Sequence, residues 1–178
     1  MRGRLTQRYL VALGSNMRHP RHGAPRAVIA AAFGALGERF DLIAASPVMD
    51  SAPLGPSQRR YANAAALVGT ALAPEAMLAA LQAIEADFGR TRRGQRWRAR
   101  VLDLDIVLWS GGAFAAPGLV IPHPAFRQRG FVLGPAAAIA PGWRDPLTGL
   151  TLRRLQARLT RSTALPRAPA CQTRGVGP

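Results

Sequence analysis

The chain has 178 residues, 24 basic against 9 acidic side chains and a formal net charge of +15, and every basic residue counted is arginine. That length suits one domain with a substantial core; no run of some 18 apolar residues or secretory signal pattern is present, which points to a cytoplasmic protein without a membrane span. The single cysteine, Cys171, rules out an internal disulfide or a cysteine metal cluster and carries no assigned role, while the charge favours anionic partners.

In chain order, residues 9–13 (YLVAL) read as a short buried strand, and Gly14-Ser15-Asn16 as a sharp turn. A loop with His19 and His22, neither with an assignable role, precedes a predicted helix over 25–36 that opens on Pro25 and is expected to end at Gly37. Residues 41–49 read as a second strand, 51–60 as a loop punctuated by proline and glycine, and 61–72 as a third strand, although its alanines also suit a helix. The clearest helix spans 74–88, from Pro74 to a stop at Gly89, with Met77, Leu78, Leu81, Ile84 and Phe88 at helical spacing. Gln82 and Glu85 lie three apart on one of its faces. Glu85 either helps to position a ligand or an arginine, or is a solvated glutamate.

Residues 89–109, GRTRRGQRWRARVLDLDIVLW, organise the rest: Arg90, Arg92, Arg93, Arg96, Arg98 and Arg100 lead into a predicted strand over 101–109. Strict alternation puts Leu102, Leu104, Ile106 and Leu108 on one face. Val101, Asp103, Asp105, Val107 and Trp109 then share the other. The two aspartates would stand about 7 Å apart, from a rise of about 3.3 Å per residue, and could converge on one divalent cation or on two. One alternative is structural, the arginines simply pairing with the aspartates. Six arginines against two aspartates nevertheless leave a positive excess that a phosphate-rich ligand would neutralise. Oxygen-only ligands on a strand suit Mg²⁺, which shares its shell with waters and substrate phosphates.

Beyond it, Ser110-Gly111-Gly112 reads as a hairpin turn, 119–121 as extended, Pro122-His123-Pro124 as a break before a helical turn with Arg127 and Arg129, and 131–139 as a helix before Pro141. Residues 150–161 suit a last basic helix. From 162 to 178 the composition reads as a disordered basic tail on a single domain of residues 1–161. Strand, helix, strand, strand, helix, strand is the split βαβ plan of an α+β, ferredoxin-like βαββαβ sheet packed with helices, with strand and helical elements added at the C-terminal side.

Several of these segments together resemble 6-hydroxymethyl-7,8-dihydropterin pyrophosphokinase of folate biosynthesis: YLVALGSN at 9–16, SAPLGP at 51–56, QRRYANA at 58–64, QAIEADFGRTR at 82–92, RWRARVLDLDIVLW at 96–109 and IPHPAFRQRGFVLGP at 121–135. The resemblance implies a ferredoxin-like monomer that transfers the terminal diphosphate of ATP to the pterin's hydroxymethyl group and releases AMP. It implies that Asp103 and Asp105 hold two Mg²⁺ ions and that Arg90 and Arg100 stabilise the transferring diphosphate. It places Gln82, Glu85 and Arg92, and further along Trp97, Ile106, His123 and Arg129, around ATP. His123 would be a phosphate donor, the alternative being a cap on the turn between its two prolines. The pterin would meet Gly14, Ser51 and Leu54, then Tyr61, Asn63 and Phe131; a flat heterocycle suits two aromatic walls, and Asn63 offers its polar edge a donor and an acceptor. Residues 14–24, 52–60 and 89–100 are expected to close over ATP. Charge and fold alone would also suit a nucleotide- or RNA-binding module without catalysis, but only Trp97 lies within the arginine cluster, which makes nucleic acid the weaker partner.

Overall fold

The structure, a computed structural model, describes residues 6–51, 61–89 and 101–161. Strand β1 (Gln7–Ser15) leads to helix α1 (Pro25–Arg39), strands β2 (Asp41–Ala45), β3 (Met49–Ser51) and β4 (Tyr61–Thr70), helix α2 (Pro74–Asp87) and strand β5 (Asp103–Trp109). A hairpin, β6 (Phe114–Ala116) and β7 (Leu119–Ile121), a 3-10 turn (Phe126–Gln128) and helices α3 (Gly130–Ile139) and α4 (Leu152–Thr160) follow. The main sheet runs β2-β4-β1-β5, with β3 also paired to β4, and all its pairings are antiparallel. This is the expected ferredoxin-like order.

Two cores sandwich the sheet. Tyr9, Val11 and Leu13 of β1, with Leu104 and Ile106 of β5, join Val28, Ile29 and Leu36 of α1 and Met77, Leu81 and Ile84 of α2. The opposite face brings Leu10, Ala65, Val107 and Leu108 against Phe126, Leu133 and Ala136, and against Leu152 and Leu155 of α4. The C-terminal additions thus supply a third layer.

Three expectations are corrected. Helix α1 runs through Gly37 to Arg39 and stops where Phe40, 8% exposed, turns into the core as extended chain. An exposed glycine has φ/ψ freedom but no obligation to end a helix. The strand expected over 41–49 is two, because Pro47 has no N–H to give to the ladder. Ser46 still pairs there, donating its N–H to the Ala65 carbonyl and accepting the Ala65 N–H on its hydroxyl, both at 2.9 Å, so β2 and β3 follow one partner strand around a kink. In β5 the alternation breaks: Leu10 pairs with Leu108 but Val11 with Ile106, leaving Val107 as an extra residue. A bulge of this kind flips every side chain beyond it. Leu108 therefore joins Val107 in the second core, and Trp109 crosses to the first, stacked with Tyr9 at 6.3 Å between ring centroids. The bulge lies beyond the aspartates, which keep the shared face expected of them.

Candidate active site

Pairing in the sheet lines up the candidate residues. Met49 of β3 lies opposite Asn63 of β4, Asn63 opposite Gly14 of β1, and Gly14 opposite Asp103 of β5. One step along, Ser51 faces Tyr61; in the other direction Ala12 faces Asp105. Because Leu13, Ala62, Ala64 and Leu104 belong to the α1/α2 core, alternation sends Gly14, Tyr61, Asn63, Asp103 and Asp105 to the opposite face. That is the α3 face. There the apolar patch under α3 and α4 gives way to a largely polar row crossing four neighbouring strands, β3, β4, β1 and β5.

At the β3 end of the row, Asn63 is 4% exposed and its amide nitrogen donates to the Ser51 hydroxyl at 2.8 Å. This bond ties the Asn63 side chain to β3. Its oxygen, Oδ1, lies over Gly14, where a built Cβ would meet it at 3.7 Å and nothing else among the described residues within 4 Å. Gly14 therefore leaves a gap that the fold itself does not require. Tyr61 and Phe131 are both half-buried, one on β4 and one in the first turn of α3, and Phe131 borders the second core. Helix α3 crosses this end of the sheet, since a Cβ on Gly134 would lie 3.7 Å from the Met49 sulfur. Arg129, at the N-cap of α3, stands 5.9 Å from the Phe131 ring centroid.

At the β5 end Asp103 and Asp105 are half-exposed, and both are engaged with other groups. Glu85 is 3% exposed and accepts the Leu104 N–H at 2.8 Å. The solvated alternative for Glu85 is thus overturned: its carboxylate caps the main chain between the two aspartates, covering part of the edge of the sheet. Gln82, one turn earlier, is half-exposed. Ile106 is 4% exposed within the α1/α2 core, on the face away from the aspartates, so a ligand there meets only its main chain.

His123 follows the cis Ile121–Pro122 bond, and its own N–H donates to the Val107 carbonyl at 3.1 Å, binding this turn to β5 just past Asp105. Its Nδ1 accepts the Ala125 N–H at 3.2 Å, so the neutral ring carries its proton on Nε2. His123 caps the turn and offers a donor at once. Arg127 plays a different part, pairing both its Nε and a terminal nitrogen with Asp145 at 2.7 Å. Asp145 is wholly buried, also accepts from Thr148 at 2.6 Å and from the Leu147 N–H at 3.1 Å, and was not singled out in the sequence. Leu54, Arg90, Arg92, Trp97 and Arg100 lie outside the described residues, as do Arg93, Arg96 and Arg98.

A family model described as 7,8-dihydro-6-hydroxymethylpterin-pyrophosphokinase (HPPK) matches residues 10–141. A 2-amino-4-hydroxy-6-hydroxymethyldihydropteridine pyrophosphokinase of Pseudomonas aeruginosa is 46% identical over 143 residues, 80% of this chain and 86% of that protein. The like-named Pseudomonas putida protein is 46% identical over 67% of this chain and 96% of its own. Among solved structures, Plasmodium falciparum HPPK-DHPS superposes with a TM-score of 0.68 at 12% identity, covering 86% of this chain. This chain spans 44% of that larger one, and at such identity the likeness is one of fold.

Proposed function

The chain belongs to the 7,8-dihydro-6-hydroxymethylpterin-pyrophosphokinase family, and we propose that the polar row from Ser51 to Asp105 is where its two substrates meet. The reaction is transfer of diphosphate from ATP to 6-hydroxymethyl-7,8-dihydropterin in folate biosynthesis. The observation that carries the site is the alignment of Asn63, Gly14 and Asp103 across three adjacent strands, which puts a position without a side chain between a buried amide and a carboxylate pair.

The pterin lies over Gly14, whose missing side chain leaves room for a flat ring. Asn63, oriented by Ser51, reads the polar edge, and Tyr61 and Phe131 wall the ring from β4 and α3. Leu54 completes that pocket. On the ATP side, His123 donates from Nε2 to a phosphate oxygen, and Arg129, Arg92, Trp97, Gln82 and the main chain of Ile106 surround the nucleotide. Glu85 acts through the Leu104 amide it holds.

Asp103 and Asp105 fit a pair of magnesium ions. They are oxygen donors on one face of one strand, a donor set that suits magnesium, which takes the rest of its shell from phosphates and water. When bound, the ions would offset the repulsion between the carboxylates and the triphosphate and stabilise charge on the transferring group. The pterin hydroxyl oxygen forms a bond to the β-phosphorus while the bond from that phosphorus to the α–β bridging oxygen breaks; AMP leaves with the electron pair and the hydroxyl proton passes to water. Arg90 and Arg100 stabilise the moving diphosphate. We place the enzyme in the cytoplasm as a monomer acting on small molecules, without a nucleic-acid partner. Among the described residues no helix is long and apolar enough to cross a membrane.

The test is AMP release from ATP and magnesium, with and without the pterin, in the parent and in Asp103→Ala and Asp105→Ala. AMP formed only with the pterin and abolished in both variants supports the site. Parent-level AMP in either variant would remove the carboxylates from it, and pyrophosphate in place of AMP would change the reaction to nucleotidyl transfer.

A further inference from the structure

The loop after Gly14 folds back on itself. His19 and Gly23 exchange backbone hydrogen bonds at 2.8 Å each way, with Gly23 at φ +86°, a conformation that favours glycine. Inside this turn His19 Nδ1 accepts the N–H groups of both Arg21 and His22 at 3.1 Å. The His19 ring is stacked on His22 with centroids 4.6 Å apart, and His22 is stacked in turn on Phe88 at 4.9 Å and 25°. Phe88 is 6% exposed, rooted in the α1/α2 core, and is the residue at which α2 ends. Gly89, at φ +81°, then takes the chain out of the helix towards the arginine segment. The rings lie face to face and one His19 nitrogen is already in use, so the pair does not converge on a metal.

We propose that His19, His22 and Phe88 are positioning residues, a stacked clasp that holds the loop following Gly14 against the end of α2 and so couples the pterin side of the site to the segment carrying its arginines. This rests on the pyrophosphokinase reading of the site. The clasp needs a neutral His19, because a proton on Nδ1 would displace two backbone donors at once. The groups facing His19 agree. Within its loop it meets His22 and Arg21, and from α2 the neutral ring of Phe88, while the neighbouring Asp87 is held by Arg39 at 2.6 Å. Burial of the ring, then His22, then the Arg21 charge lower its pKa from 6.5. A lowered pKa means the folded loop binds fewer protons than the unfolded one, so the clasp is intact above pH 6.5 and weakens as the pH falls below it.

The experiment compares the full chain with His22→Ala, His22→Phe and His19→Asn, reading kcat/KM for ATP and pterin from pH 5.5 to 8 together with amide hydrogen exchange of residues 16–24. His22→Ala should lower kcat/KM about three- to tenfold, the size expected of a lost aromatic pair, and speed exchange in the loop. His22→Phe should restore both. The parent should show an acid-side fall in kcat/KM, and His19→Asn, which keeps an acceptor for the two turn N–H groups, should lose it. Faster exchange in His22→Ala with unchanged kcat/KM would make the stack merely structural and overturn the proposal, as would unchanged exchange. A parent that releases no AMP would defeat the underlying reading, and this proposal with it, whereas exchange would still report whether the stack holds the loop.

Discussion

Two sets of carboxylates in this molecule have opposite surroundings. Asp145 is wholly buried, and its oxygens are taken up by Arg127, Thr148 and the Leu147 amide. Asp103 and Asp105 are half-exposed on a sheet face that α3 and α4 leave partly uncovered. The first is a joint: it ties the 3-10 turn before α3 to the loop before α4, closing the third layer. The second pair faces outward in a row of polar groups. Aspartate beside arginine in a sequence is therefore no guide to role; what matters is whether the fold shuts the carboxylate into its interior or leaves it on a face that solvent reaches.

The largest expected effect sharpens the outward-facing half of this contrast. Asp103→Ala and Asp105→Ala should each reduce turnover on the order of 10³-fold, since groups that organise charge on a transferring phosphate are worth that much, while thermal unfolding stays near the parent's. A variant that loses its fold together with its activity would make these aspartates structural like Asp145. Next, Asp145→Ala should cost about 3 kcal/mol of stability, because it leaves a partly buried arginine without its partner; chemical denaturation reads this directly. Burial alone would raise the Asp145 pKa, but the Arg127, Thr148 and Leu147 hydrogen bonds outweigh it and hold the carboxyl below 3.8. A depressed pKa stabilises the fold above that value, and this contribution is lost as the pH falls through the lowered one. Acid unfolding should therefore be less steep in Asp145→Asn than in the parent.

Smaller effects test the gap and the core. Gly14→Ala should leave stability within about 0.5 kcal/mol, as expected away from any strained or crowded position, since among the described residues the added methyl meets only Asn63 Oδ1 at 3.7 Å. Its KM for the pterin should nonetheless rise about tenfold; an unchanged KM would take Gly14 out of the pocket. Tyr9→Phe should cost about 1 kcal/mol, the worth of its hydrogen bond to the Leu72 carbonyl at 2.7 Å. Burial pushes the Tyr9 pKa up to about 12, so the parent should lose stability as the pH rises above 10 towards that value, and the variant should lose less.

Much of the fold was legible because local signals agreed with the global plan. Pro25 and Pro74 open helices in the structure as expected, and Gly89 closes the second one. The errors have a common cause. Nothing around Val107 announces a bulge: it arises from how β5 must bend to keep pairing with β1, and a bulge is a property of two strands at once. Ser46 and Pro47 lay inside what reads as one strand, and that the chain would break there with both halves following β4 depended on β4 being long enough to carry them. Glu85 read equally well as a surface residue because its burial comes from an amide nineteen residues away. Likewise Asp145 lay in an unremarked loop until the 3-10 turn brought Arg127 to it.

By itself the sequence determined the element order, the helix starts, the family resemblance and the shared face of Asp103 and Asp105, because each depends on spacing within a segment or on motifs in a given order. Only the tertiary structure decided which strand stands beside which, and so that Asn63, Gly14 and Asp103 form one row, that His22 meets Phe88, and that Glu85 and Asp145 turn inward. These are contacts between segments far apart in the chain, and their register is set by the packing of both sheet faces at once.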